Sequence, residues 1–140
     1  MTSTSLIPVS TSDTEFEGHA SWGKTIPQND INKGSNDHGT HCIAMVGSHK
    51  YGVAKVVNLI AVKVLGSNRS GTMGDIVVGV TWAAGQAAKK LAAAKAEYTV
   101  TGKMRHKGLV VNMSPGGSVS QALNNTINVG VLMKKVILLW

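Results

Sequence analysis

Three side chains with lone pairs to offer lie within five positions of one another. They are His38, His41 and Cys42, in the stretch NDHGTHCIAMVGS at residues 36–48. Spacings of three and four put them on one face of a helix. Three readings fit such a face. Zinc accepts imidazole nitrogen and thiolate sulfur, so the face could hold a metal ion. A histidine in the first helical turn feels the positive end of the macrodipole, which disfavours the imidazolium and keeps a neutral base available near pH 7. The third reading is an ordinary helix start that carries two polar side chains.

The metal reading lacks ligands. A structural zinc site takes four, usually with a second His or Cys pair. The chain has one Cys, and His19, His49 and His106 have no paired spacing. No metal and no cofactor are therefore expected. The base reading has local support, because Gly39 and Thr40 are small and leave the ring of His38 accessible to a nucleophile. Composition alone still favours a structural histidine, so the neighbouring elements must decide.

From residue 38 onward the chain alternates between two patterns. The run HGTHCIAMVGS suits a buried helix entered through a tight turn. NLIAVKVL (58–65) is bounded by glycines, rich in Val and Ile, and apolar except for Lys63, as a buried parallel strand reads. In the following segment Thr72 and Asp75 have capping-box spacing, with Asp where Glu or Gln is preferred. Ile76, Val77, Val80, Ala83, Ala84, Ala87, Leu91 and Ala94 then recur at helical intervals, with Lys89, Lys90 and Lys95 marking the wet end. KGLVVNMS (107–114) is a second strand, SVSQALNNTINVGVLMKK a third helix weakened by its Asn pairs and Gly130, and VILLW a third strand. Residues 1–36 read as polar and irregular, with PQNDINKGSND (27–37) an exposed loop.

Alternating strands and helices predict an α/β fold with a parallel sheet flanked by helices. In such sheets the chemistry gathers where strands end and helices begin, which places His38, Ser70 and Ser114 at one edge. The size of the chain, 140 residues, is that of one domain, with 43% hydrophobic residues and a core short of aromatics.

The formal net charge of +7 makes an anionic partner conceivable, but the lysines are scattered, only two residues are Arg, and no aromatic-interleaved basic stretch appears. Nucleic acid is not an expected partner. The first fifteen residues lack the basic and apolar regions of a signal peptide. The apolar run VGVLMKKVILLW is short and broken by Lys134 and Lys135, so no membrane span is expected and the location stays open.

The order of these motifs carries a resemblance. HGTHC resembles the histidine motif of the subtilisin-like serine proteases, most closely the proteinase K-type branch, which has a Cys at that place. EFEGHASWGKTI (15–26), YGVAKVVNLIAVKVL (51–65), SGTMGDIVVGVTWA (70–83) and NMSPGGSVSQALNN (112–125) follow in the family's order and at about its spacing, and together cover most of residues 15–130.

The resemblance implies a partial, truncated three-layer subtilisin-like fold. It also implies serine-type endopeptidase chemistry on a peptide or protein substrate, in a family whose members are usually secreted. It makes His38 the general base, His41 a helix residue behind it and Cys42 a buried thiol. It makes SNRSG (67–71) and SPG (114–116) the segments that hold a substrate peptide as an added strand, so that Arg69, Ser70, Gly71, Ser114, Pro115 and Gly116 bind substrate. Strand alternation would let Ser114 and Gly116 face the peptide and Pro115 point away.

The departures from the family are specific. The Asp-Thr-Gly strand end falls on Leu6, Ile7 and Pro8, and neither Asp13 nor Asp37 is well placed to orient the imidazole. Loss of that carboxylate costs a Ser-His-Asp site about 10⁴ in turnover. The chain stops at Trp140, before the oxyanion-hole Asn and the Gly-Thr-Ser-Met-Ala nucleophile segment of the family. Ile43, Ala44 and Met45 replace the family's Ala-Gly-Thr, which predicts overpacking behind the base, and Arg69 stands where Gly is common.

The chain is therefore expected to be one incomplete catalytic domain over 1–140, with an atypical segment over 1–14, and inactive alone. The alternative is a non-enzymatic peptide- or protein-interaction module or a defective fragment, open to self-association through an exposed sheet edge.

Overall fold

The computed structural model describes residues 2–5, 14–16, 18–28, 30–31, 37–68, 70–104, 108–114, 116, 120–132 and 136–139. Five parallel strands form one sheet: β1 (Thr2–Ser5), β2 (Ala20–Thr25), β3 (Asn58–Lys63), β4 (Leu109–Asn112) and β5 (Val136–Leu139). Their order is β2-β3-β1-β4-β5. Three helices accompany them: α1 (Asp37–Gly47), α2 (Met73–Thr101) and α3 (Gln121–Leu132). The expected α/β architecture is therefore present.

Two strands lie in the stretch that reads as irregular. β1 pairs with β3 on one side and β4 on the other, so the most polar strand, TSTS, sits among the described strands at the middle of the sheet. Its register sets Ser5 level with Ala61 and Asn112. Hydropathy misses β1 because Thr2–Ser5 carries no apolar side chain to mark it, while the ladders that pair it on both sides can be supplied by any residue type. β2 is missed for a different reason. It carries Ser21, Gly23 and Lys24 on an outermost strand, and its register shifts between Trp22 and Lys24. Gly23 sits at that shift, and a Cβ there would lie 2.6 Å from Ile60 Cγ2 and 2.9 Å from Trp82. Only glycine lets α2 and β3 approach β2 so closely.

Alternation along β3 divides the core into two layers. Leu59 and Ala61 join Phe16, Ile43 and Val57 on the α1 face. Val62, with Val64 beyond the strand end, joins Ile76, Val80, Ala83 and Ala87 of α2, Leu109 and Val111 of β4, and Ile127 of α3. Sheet between helices on both faces gives the three layers. α2 buries Ile76, Gly79, Val80, Ala83, Ala87 and Ala94, close to the expected stripe, while Val77, Ala84 and Leu91 are half-buried. Its start is a full capping box, with the Asp75 N–H donating to Thr72 Oγ1 (3.1 Å) and the Thr72 N–H to Asp75 Oδ2 (3.0 Å). Aspartate thus does the work usually given to Glu. The helix ends on Gly102, at φ 67°, whose N–H bonds Tyr98 O at 2.8 Å. In α3 the Asn pair 124–125 is exposed, and Gln121 Nε2 donates to Asn125 Oδ1 at 2.9 Å, which explains how the helix tolerates it.

Behind His38, Ile43 is 1% exposed and fills the second core cluster, while Met45 is exposed. Gly47 keeps the end of α1 close to the sheet, since a Cβ there would meet Val57 Cγ1 at 2.6 Å.

Candidate active site

The backbone of α1 decides where His38 lies. Gly39, Ile43 and Gly47, each four apart, are buried, and His41 and Met45 face solvent on the opposite side. The carboxyl end of α1 packs at Gly47 against Val57 and Leu59, at the start of β3. His19 Nε2, just before β2, lies 2.8 Å from Gly47 O. The helix therefore runs antiparallel to β2 and β3. Eleven residues rise about 16 Å, nearly the length of a six-residue strand. Its first turn, with His38 second in the helix, comes to the carboxyl edge of the sheet.

The loop that leaves β2 is tied to the same edge. Ile26 N–H bonds Lys63 O at 2.9 Å. Asp30, farther along, accepts from four donors: Lys63 Nζ (2.9 Å), Ser67 N–H (2.8 Å), Ser67 Oγ–H (2.8 Å) and Ile31 N–H (2.7 Å). The Lys63 side chain is fully buried and that of Asp30 is 15% exposed. Lys63 Nζ also donates to Ser67 Oγ at 3.1 Å. Bonds from Lys63, and then from Ser67, favour the carboxylate and hold Asp30 well below the usual carboxylate range. This ion pair is a feature that sequence reading passed over. Its signal was Lys63 itself, a charge in an otherwise apolar strand, which requires a partner.

Past β3 the chain turns sharply. Gly66 N–H bonds Ser70 O at 2.7 Å, and Ser70 N–H bonds the Asn68 side chain at 3.1 Å. Ser70 and Gly71 are exposed. Gly71 is nonetheless wedged, since a Cβ there would lie 2.6 Å from Val64 O. On the other side of β1, Ser114 is half-buried two residues past β4, and Asn112 Nδ2 donates to its Oγ at 3.3 Å. Gly116 is exposed. Arg69 and Pro115 lie outside the described residues, as do Leu6, Ile7, Pro8 and Asp13.

The fold thus brings the first turn of α1, the turn after β3 and the segment after β4 to one edge, around the end of β1. An open polar pocket of about 590 Å³ lies beside the turn, with Gln28, Asp30, Ser67, Asn68, Ser70 and Asp75 in its wall. His41 is exposed, and Cys42 is half-buried rather than buried. Among the described residues no three His, Cys, Asp or Glu side chains are grouped to hold a metal ion. None of the described helices is long and apolar enough to cross a membrane.

Comparison with known proteins agrees with this fold. The family model described as "Subtilase family" matches residues 3–140. The chain belongs to the subtilase family. It is 52% identical over 122 residues to the subtilisin-like serine protease Pen c 2 of Penicillium citrinum, covering 86% of this chain and 26% of that protein. It is 51% identical over 118 residues to alkaline protease 2 of Aspergillus fumigatus, covering 84% and 23%. Among solved structures, a cold-adapted subtilisin-like serine proteinase superposes with a TM-score of 0.75 at 29% identity, covering 98% of this chain and 44% of that one. The chain spans about a quarter of the length of the curated relatives it matches.

Proposed function

We propose that residues 1–140 are part of a single serine endopeptidase catalytic domain and carry its base and one side of its peptide cleft. His38 is the general base that would take the proton from a serine nucleophile during acyl transfer. The segments 67–71 and 114–116, through Arg69, Ser70, Gly71, Ser114, Pro115 and Gly116, hold an extended peptide or protein substrate by backbone hydrogen bonds. The observation that supports this best is the convergence of three family motifs, those at 38, 67–71 and 114–116, on one sheet edge at the end of a central strand. A ligand at the carboxyl edge beside a topological switch is what an open α/β sheet favours.

The same reading makes these 140 residues inactive by themselves. Leu6, Ile7 and Pro8 occupy the family's Asp-Thr-Gly position, and no Gly-Thr-Ser-Met-Ala segment occurs in the 140 residues. A base without an orienting carboxylate or a nucleophile has no step to perform. The alternative reading is a non-enzymatic peptide- or protein-interaction module, for which peptide binding by these segments would be enough.

The test is to treat the purified chain with a fluorophosphonate probe and casein, and to titrate it with an extended peptide. The expected result is no labelling, no cleavage, and peptide affinity that disappears when alternate peptide amides are N-methylated. Labelling that His38→Ala abolishes would mean that a complete site is present. Affinity indifferent to N-methylation would remove the added-strand reading.

A further inference from the structure

The Asp30–Lys63–Ser67 cluster joins two parts of the site that are far apart in sequence. Asp30 belongs to the loop between β2 and α1, and Ser67 opens the turn read above as a wall of the peptide cleft. Both oxygens of the Asp30 carboxylate are used. Oδ2 accepts the Ser67 N–H, while Oδ1 accepts Lys63 Nζ and the Ser67 hydroxyl. Lys63 is fully buried and stands at the end of β3, so it gives the carboxylate a fixed point on the sheet.

Such a pair is a poor device for stability alone. Desolvating two charges costs about as much as their attraction returns, and a well-packed apolar pair is often equal or better. What an ion pair with directed bonds provides is geometry. Here three of the four donors on Asp30 come from the end of β3 or the turn after it. The other bonds of the turn, Gly66 N–H to Ser70 O and Ser70 N–H to the Asn68 side chain, stay within the turn, so of the bonds described only those to Asp30 and Lys63 tie Ser67 to other parts of the fold.

We propose that Asp30 is a positioning residue: it clamps the turn at 66–71 to the loop that leads into α1, and so preorganises that turn for the backbone of an extended peptide. The proposal rests on the reading of 67–71 as a peptide-binding segment. Asp30 itself touches no reacting atom. A turn held in its bound shape loses less freedom when the peptide arrives, and the gain is read as affinity.

Asp30→Asn alone would leave a buried lysine without its counter-charge, so the informative variant is Asp30→Asn combined with Lys63→Met. It removes both charges and keeps the volume at 63 apolar. Three measurements on the full chain decide the matter: melting temperature, exchange of the Ser67 amide proton, and affinity for an extended peptide. The expected result is a melting temperature near wild type, faster Ser67 exchange, and about tenfold weaker binding, as loss of preorganisation predicts. A double variant that binds the peptide as tightly as wild type overturns the clamp and leaves the peptide-binding reading standing. A wild-type chain with no affinity for the peptide overturns that reading, and the clamp with it. If the double variant fails to fold, Ser67→Ala removes the hydroxyl from the cluster while keeping the ion pair, and must weaken binding; unchanged binding there overturns the proposal.

Discussion

Adding one methyl group at Gly71 tests how the turn beside the cleft is held. The new Cβ would lie 2.6 Å from the carbonyl oxygen of Val64, 2.9 Å from Leu65 Cδ2 and 3.4 Å from Leu65 Cα. Bringing the first contact out to 3.4 Å, where ordinary contact begins, needs a shift of about 0.8 Å. Val64 cannot supply it, because it is 0% exposed and packed in the larger core cluster. The turn must move instead, against the Gly66–Ser70 bond and the Asp30 cluster.

Overpacking of this kind costs about 1–3 kcal/mol. For a domain near this size each kcal/mol lowers the melting temperature by roughly 2–4 °C, so Gly71→Ala should melt about 2–12 °C lower. Gly85→Ala is the matched control. That glycine is exposed inside α2, and a Cβ there meets nothing within 4 Å. Alanine is the better helix former by about 1 kcal/mol, so the control should gain a few degrees. Differential scanning calorimetry reads both. A Gly71→Ala chain that melts at or above wild type would refute the wedge against Val64 and Leu65, just past β3, and with it the placement of the turn at the cleft wall.

Two further outcomes follow from the same structure. Thr72→Ala removes the side chain that accepts the Asp75 N–H at 3.1 Å and donates to Asp75 Oδ2 at 2.7 Å, and should cost about 0.5–2 kcal/mol in urea unfolding with the m-value unchanged. Acid sensitivity should pass through Asp30. Its carboxyl is held below the usual range by Lys63 and Ser67, so its contribution is present above the ordinary aspartate value near 3.9 and is lost as pH falls. The gap in melting temperature between wild type and Asp30→Asn should be full at pH 6 and narrow steadily below about pH 4; a gap constant down to pH 2 would contradict the bonded carboxylate.

What a linear reading recovers depends on how each residue earns its place. The stripe Ile76, Val80, Ala83, Ala87 and the apolar runs of β3 and β4 show plainly, because burial against a neighbouring layer selects apolar side chains at a fixed period. The Thr72–Asp75 cap shows as well, since its bonds span three residues. β1 does not show, because Thr2–Ser5 has only Thr and Ser side chains, and the main-chain ladders that pair it leave no mark on residue type. The Asp30–Lys63 pair leaves only half a mark, a lysine out of place, with its partner 33 positions away. The motif at 38–42 has the spacing of a chemical face, but nothing local distinguishes a base from a helix start.

By itself, then, the sequence determined the alternation of strand and helix, the apolar face of each element and the kinship carried by motifs in order, because these depend on periodicity and local bonds. The tertiary structure alone decided the sheet order, with β1 between β3 and β4, the antiparallel run of α1 that carries its first turn to the carboxyl edge, and the tie from Asp30 to Ser67. Each of these joins segments distant along the chain, and such contacts are chosen by the packing of the whole domain rather than by any stretch within it.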